Sequence, residues 1–220
     1  MREVRAVGGL CNRLQHVISA RAAYGPLLVT WDLQEPALAG ARFSDLFEPL
    51  DGVEFREHGT APESCHVCAD APEGWERGYL ELKPRLDIVE RIGAIAGEYN
   101  YVAVHIRRSS GHAELLERLA VTATTDEDFL RWLGQYPDHV VYLATDNAKT
   151  QAAWLGRLGR AIVNREILTG TERQGLGNHA IHTSVADAVV DLYVCAGATH
   201  FMGTRGSSFT DTINRLRSLR

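Results

Sequence analysis

The sequence predicts an α/β protein with parallel sheets, on three observations. The apolar run Tyr101-Val102-Ala103-Val104-His105-Ile106 is of strand length and ends in two adjacent arginines, Arg107 and Arg108; a continuous apolar run suits a parallel strand covered on both faces. A second such run, Val140 to Thr145, ends at Asp146 and Asn147. Strand-like and helix-like stretches alternate in both halves of the chain, the order expected of α/β units.

In chain order, Glu3 to Val7 reads as a strand, Gly8 to Asn12 as a glycine turn, and Arg13 to Tyr24 as a helix stopped by Gly25-Pro26. Pro26 to Trp31 is a second strand, which completes a β-loop-α-β unit. From Asp32 to Leu82 proline and glycine recur at Pro36, Gly40, Pro49, Gly52, Gly59, Pro62, Pro72 and Gly74, so short elements and loops are expected. Leu86, Val89, Ile92 and Ile95 stand at helical spacing within Pro84 to Glu98, a helix that leads into a second unit. After the strand ending at Arg108 come helical stretches at His112 to Ala120 and Asp126 to Tyr136, then the strand from Val140. A helix at Ala148 to Gly156, a short strand Ala161 to Val163 and a glycine-rich loop, Thr169 to Asn178, follow. The chain closes with a helix at Ser184 to Ala196, a strand His200 to Met202, the turn Gly203 to Ser207, and a helix to Leu219. This divides the chain into two units, 1–97 and 98–220.

The formal charge of -5 and a pI near 6.0 argue against a nucleic-acid binder working through broad electrostatics, so any anion site must be local. No apolar run is long enough to span a bilayer, and Met1-Arg2-Glu3-Val4 leads straight into a strand; neither a signal peptide nor a membrane anchor is expected. Of the four cysteines, only Cys65 and Cys68 have the spacing associated with zinc or redox chemistry, and with no second CxxC two free thiols are the expectation. Cys11 and Cys195 read as further reduced thiols, which suits the cytoplasm.

Ends of parallel strands converge on one sheet edge, where α/β proteins bind ligands. Arg107, Asp146 and the Thr204-Arg205-Gly206-Ser207-Ser208 turn occupy three such ends. A guanidinium fork matches phosphate oxygens; the alternative for both arginines is pairing with surface carboxylates. Gly8-Gly9-Leu10-Cys11-Asn12-Arg13 joins a strand to a helix, where free N–H groups suit phosphate or sugar, but it is neither a Walker loop nor a GxGxxG fingerprint. In the alternative reading it is a plain turn with Asn12 as helix cap. Ser207 or Ser208 likewise either caps the last helix or binds an anion. Asp191 falls on an apolar helix face, so it either points outward or has a partner, for which Arg107, Arg108 or a loop N–H is in reach. His105 alternates with Arg107 and projects to the same face, placed to orient that guanidinium or a neighbouring loop. No GxSxG elbow or Cys-His pattern supports nucleophilic catalysis.

Taken in order, Gly8-Gly9-Leu10-Cys11-Asn12-Arg13-Leu14, Val104-His105-Ile106-Arg107-Arg108, Tyr142-Leu143-Ala144-Thr145-Asp146-Asn147, Val189-Val190-Asp191-Leu192 and Gly203-Thr204-Arg205-Gly206-Ser207-Ser208-Phe209 form a recognisable set. It resembles the superfamily of α1,6-, α1,2- and protein O-fucosyltransferases, including the bacterial nodulation enzymes. The resemblance implies a GT-B fold: two Rossmann-like lobes facing a cleft, the amino-terminal, acceptor-side lobe reduced. It implies GDP-fucose as donor, held mainly by the carboxyl-terminal lobe, a glycan or small glycoside as acceptor, inversion at the sugar, and no metal or other cofactor. By the same resemblance Arg107 contacts the β-phosphate and leaving group, Arg108 is the second arginine of the α1,6 branch, and Asn12 reaches the donor from the glycine loop with Gly9 and Arg13. Asp146 and Asp191 match donor-site aspartates, the latter near guanine and ribose. Ser207 and Ser208, within the turn that also carries Thr204 and Arg205, match the serines at the pyrophosphate.

The chain departs from the α1,6 pattern after the arginines, where Ser109-Ser110-Gly111 stands in place of Thr-Asp-Lys. Glu114 lies near the place of the family's downstream glutamate and is the candidate general base. Two alternatives stay open: another nucleotide sugar such as GDP-mannose, and a non-catalytic module that binds GDP or a glycan.

Overall fold

Two four-stranded parallel sheets form the frame, in a computed structural model that describes residues 1–34, 40–61, 63–64, 67–97, 100–108, 122–159, 161–167, 173–174, 180–181 and 183–220. The first sheet is built from β1 (Arg2–Ala6), β2 (Leu27–Trp31), β3 (Val53–Arg56) and β4 (Glu63–Ser64), in the order β3-β2-β1-β4. Helix α1 (Leu10–Tyr24) connects β1 to β2.

Register explains how this sheet is covered. Val4 pairs with Val29 and Val29 with Phe55, so alternate side chains put Val4, Ala6, Leu27, Val29, Trp31 and Phe55 on one face. These pack into a core with Leu10, Leu14 and Val17 of α1 and with Phe43 and Phe47. The opposite face carries Glu3, Arg5, Thr30 and Arg56, where Arg56 pairs with Glu3 and donates from Nε to Thr30 Oγ1 at 3.2 Å. One face is a core face and the other is polar.

After α2 (Leu86–Ala96) the chain enters the second sheet through β5 (Tyr101–His105). Helix α3 (Asp126–Leu133), β6 (Val140–Ala144), α4 (Ala148–Leu158) and β7 (Ala161–Ile162) follow, then an antiparallel pair, β8 (Arg173–Gln174) and β9 (Ala180–Ile181). Helix α5 (Val185–Gly197), β10 (His200–Gly203) and α6 (Ser208–Ser218) complete the chain, and the sheet order is β10-β5-β6-β7. Here both faces are buried. Val102, Val104 and Ile106 pack with Phe129, Leu133 and Trp154 of α3 and α4, while Tyr101, Ala103, Tyr142 and Ala144 pack with Val189, Val190 and Leu192 of α5.

Two helices tie the sheets together. Helix α2 lies on α5, with Arg91 paired to Asp187 and donating to Asn164 Oδ1 at 3.0 Å. Helix α6 runs back onto α1 and the 3₁₀ turn Trp75–Glu81, so that Ile213 and Leu216 join the core shared by Leu14 and Val17. Among the described residues no helix is long and apolar enough to cross a membrane. The expected helix at His112 to Ala120 lies outside the described residues.

Candidate functional site

The site forms where the turn after β1 meets the turn after β10. Gly8 adopts φ +85°, a left-handed turn that glycine tolerates, and Gly9 is the N-cap of α1 with no side-chain hydrogen bond to the helix. The first N–H groups of α1 are therefore left as donors at the positive end of the helix dipole. A Cβ built on Gly9 would meet no atom within 4 Å, so this backbone faces open space. Asn12 lies inside the first turn, half-buried, and the cap it was expected to supply falls to Gly9 instead.

The second turn repeats the arrangement. Gly206, at φ +70°, reverses the chain, and Ser207 is the N-cap of α6 without a side-chain hydrogen bond to it. By contrast, α3, α4 and α5 are capped by Thr125, Asn147 and Ser184. The two open termini are held side by side by Gln15 of α1, which donates to the Ser208 carbonyl at 3.3 Å and to Thr212 Oγ1 at 3.4 Å.

Arg107 follows the end of β5 and meets the turn before α6. Its N–H donates to Thr204 Oγ1 at 2.9 Å, and that hydroxyl donates to the His105 carbonyl at 3.1 Å, stitching β5 to the turn after β10. His105 Nδ1 meets Thr210 Oγ1 at 2.9 Å, and its ring lies 4.7 Å from that of Phe209; it positions α6 rather than the guanidinium. Burial pushes the Cys11 thiol up to about 12, opposed by the Thr212 hydroxyl and the positive charge of Arg107. A thiol so raised is not a nucleophile.

Two buried polar atoms here have no hydrogen-bond partner, Arg107 Nε and Ser207 Oγ. Leaving such a group unpaired costs about 1–3 kcal/mol, which oxygens of a bound anion would offset. Continuing the β5–β6 register past His105 and Ala144 sets Asp146 level with Arg107 on the same face, half-buried and, like the Arg107 guanidinium, outside any ion pair among the described residues.

Gly9, Asn12, Arg107, Asp146, Thr204, Arg205, Ser207 and Ser208 are thus brought to one place. Three other candidates are engaged elsewhere. Arg13 is fully buried, with Nε on the Gly8 carbonyl at 2.9 Å, Nη2 on the Asp32 carbonyl at 3.2 Å, and its guanidinium over Trp31. Arg108 turns to the other face of the sheet, pairs with Asp126 at 2.8 Å and covers Phe129. Asp191 is buried behind β6 and accepts from the Tyr142 hydroxyl, not from Arg107 or Arg108. Burial pushes its carboxyl up to about 7, while the Tyr142 hydrogen bond pulls the other way. On the same helix, burial works to raise the Asp187 carboxyl as well, but Ser184 and Arg91 hold it below its ordinary value.

Glu114 and Cys65 lie outside the described residues. Among those described, no group of three or more His, Cys, Asp or Glu is placed to hold a metal ion. Residue reading missed Gln15, Thr124 and Asp126. Thr124 Oγ1 accepts from the Arg205 N–H at 3.0 Å, and Asp126 holds Arg108 and Arg157. Only Gln15 left a trace, as a polar residue inside the run from Leu14 to Ile18.

The family model for GDP-fucose protein O-fucosyltransferase matches residues 77–220, more than half of the chain. The chain belongs to this fucosyltransferase family. Comparison with curated proteins yields no match. Among solved structures, NodZ α-1,6-fucosyltransferase soaked with GDP-fucose superposes with a TM-score of 0.61 at 17% identity, covering 98% of this chain and 92% of that one. NodZ co-crystallised with GDP gives 0.61 at 17% identity over 97% of this chain and 91% of that one. The selenomethionine form of NodZ from Bradyrhizobium gives 0.60 at 17% identity over 97% and 91%. These likenesses are of fold, and they bear out the expected α/β architecture of GT-B type.

Proposed function

We propose that this protein moves fucose from GDP-fucose to a hydroxyl of a glycan or small glycoside, with inversion and without a metal. The donor sits on residues 98–220 and the acceptor approaches from 1–97. The observation that carries this reading is Arg107, a half-buried guanidinium outside any ion pair among the described residues, its Nε buried and unpartnered, tied by its N–H to the turn that opens α6, where Ser207 Oγ is unpartnered too.

Displacing GDP builds negative charge on the β-phosphate. Arg107, the Ser207 hydroxyl and the N–H groups that begin α1 and α6 are fixed before reaction, so they stabilise that charge with little reorganisation. Asn12 and Gly9 meet the donor from the amino-terminal side, and Asp146 flanks it. The sugar passes through an oxocarbenium-like state, with the acceptor hydroxyl held opposite GDP and Glu114 as the candidate base. His105, Thr204 and Arg108 position these groups. The free thiols of Cys11, Cys68 and Cys195 suit a reducing cytoplasm.

Saturating GDP-fucose is expected to raise the melting temperature, and excess chelator to leave turnover unchanged. An unchanged melting temperature with GDP would overturn the reading. Faster hydrolysis of GDP-mannose than of GDP-fucose would change the donor. A second reading, a non-catalytic GDP-binding module, is favoured by Ser109-Ser110-Gly111 in place of the lysine-bearing segment; it predicts binding with neither transfer nor hydrolysis.

A further inference from the structure

A cavity of about 250 Å³ opens on the carboxyl edge of the first sheet, away from the Arg107 site. Trp31, Leu33, Phe43, Phe47, Leu50 and Phe55 line it. The Phe43 and Phe55 rings stack with centroids 4.0 Å apart, and Trp31 stands edge-on to both, at 5.6 and 5.8 Å. Trp31, Phe43, Phe47 and Leu50 are core residues, 1–4% exposed, that form its floor, while Leu33 and Phe55 keep part of their apolar surface exposed as its walls.

Apart from the exposed Ser44 at the mouth, its polar side chains have partners. Trp31 Nε1 donates to the Ala41 carbonyl at 3.0 Å, Arg56 is taken up by Glu3 and Thr30, and Arg42 Nε pairs with Glu57 at 2.8 Å across the mouth. A sugar ring pushed inside would bury hydroxyls without partners, and their lost hydration would go uncompensated. An apolar group faces no such cost. An apolar cavity of about 150 Å³ accepts benzene, so this one has room for a substituted single ring, with the exposed Arg42 and Glu57 left at the rim for a polar remainder.

Arg13 lies between the Gly8 turn and the Trp31 side of the cavity. Its Nε is on the Gly8 carbonyl at 2.9 Å, its Nη2 on the Asp32 carbonyl at 3.2 Å, and its guanidinium 5.2 Å from the Trp31 ring. β3 lies two strands from β1, about 10 Å at ordinary strand spacing. A molecule with its sugar near Gly9 and a ring in the cavity would be of ordinary glycoside size.

Resting on the reading of the site as a fucosyl transfer centre, we propose that this cavity is an aglycone subsite: it takes the apolar, single-ring group carried by an acceptor glycoside. It selects acceptors by what hangs from the sugar, and it leaves donor binding untouched.

The test uses the full chain and calorimetric titration with phenyl and methyl β-D-glucopyranoside, with and without GDP. The phenyl glycoside is expected to bind about tenfold tighter or more, from its extra apolar area. Two variants at exposed or part-exposed positions, Leu33→Asp in the wall and Ser44→Trp at the mouth, are each expected to erase that preference. Both should keep GDP affinity within about twofold, as separated sites do. Equal binding of the two glycosides, binding of neither, or a preference that survives both variants would overturn the subsite. Failure of the unmodified chain to bind GDP would instead overturn the donor site, while the phenyl-to-methyl comparison without GDP still reads the cavity.

Discussion

The two sheets share strand number and parallel order but are clothed differently. The second is packed on both faces, by α3 and α4 on one side and α5 on the other. Among the described residues, the first carries its apolar core on one face and ion pairs on the other. A sheet buried twice over is a stiff platform, because close-packed interiors resist small displacements. That platform carries Arg107, Asp146 and the Ser207 turn, which in the proposed function must hold their places to stabilise charge on a leaving group. The cavity proposed as an aglycone subsite lies beside β3, at the edge of the first sheet.

The sharpest way to break this contrast is to compare a core deletion in one sheet with a polar deletion in the other. Trp154→Ala, under the second sheet, is expected to cost about 3–5 kcal/mol. Arg56→Ala, on the polar face of the first, should cost less than about 1 kcal/mol. Denaturant unfolding checks both, and similar losses would show that the sheets are equally dependent on their second face. Next in size, Arg107→Ala is expected to lower donor turnover by about a hundredfold to a thousandfold, with a melting temperature of the free protein that is not lowered, because the variant removes a buried Nε that has no partner to lose.

The platform also has a pH dependence of its own. The Asp191 carboxyl is raised from 3.8 to about 7 by burial, so the folded state holds its proton where the unfolded chain releases it. Its contribution is therefore full below about pH 4 and is lost as pH rises through 7. Asp191→Asn should flatten that part of the melting-temperature profile between pH 4 and 7, and an identical slope in the variant would remove Asp191 as its source. The smallest effect is expected for Arg108→Ala, a loss of about 0.5–1 kcal/mol from the half-exposed pair with Asp126, with GDP affinity retained. Of two adjacent arginines, one then serves the ligand and the other the fold.

The difference between the sheets also decided what the sequence made legible. Strands buried on both faces are uniformly apolar, so Tyr101 to Ile106 and Val140 to Thr145 were read almost to the residue. β3 alternates, with Glu54 and Arg56 between Val53 and Phe55, and β4 is a two-residue strand; both vanished among the prolines and glycines. Helix α1 starts at Leu10 rather than Arg13 because Gly9 caps it through its backbone, which leaves no side-chain signature. Convergence of strand ends correctly joined Arg107, Asp146 and the Thr204 to Ser208 turn. Strand alternation could have separated Arg107 from Arg108, but the tyrosine that partners Asp191 sits on β6, a pairing that only the packing of α5 on that strand creates.

The central claim is that Arg107 holds the β-phosphate of the donor. Titrating the unmodified protein and Arg107→Ala with GDP and with GMP tests it directly. The unmodified protein should prefer GDP by about tenfold or more, as a charge-assisted phosphate contact implies, and the variant should lose that preference while binding GMP as before. An equal loss of GDP and GMP affinity, or a preference that persists without the guanidinium, would contradict it.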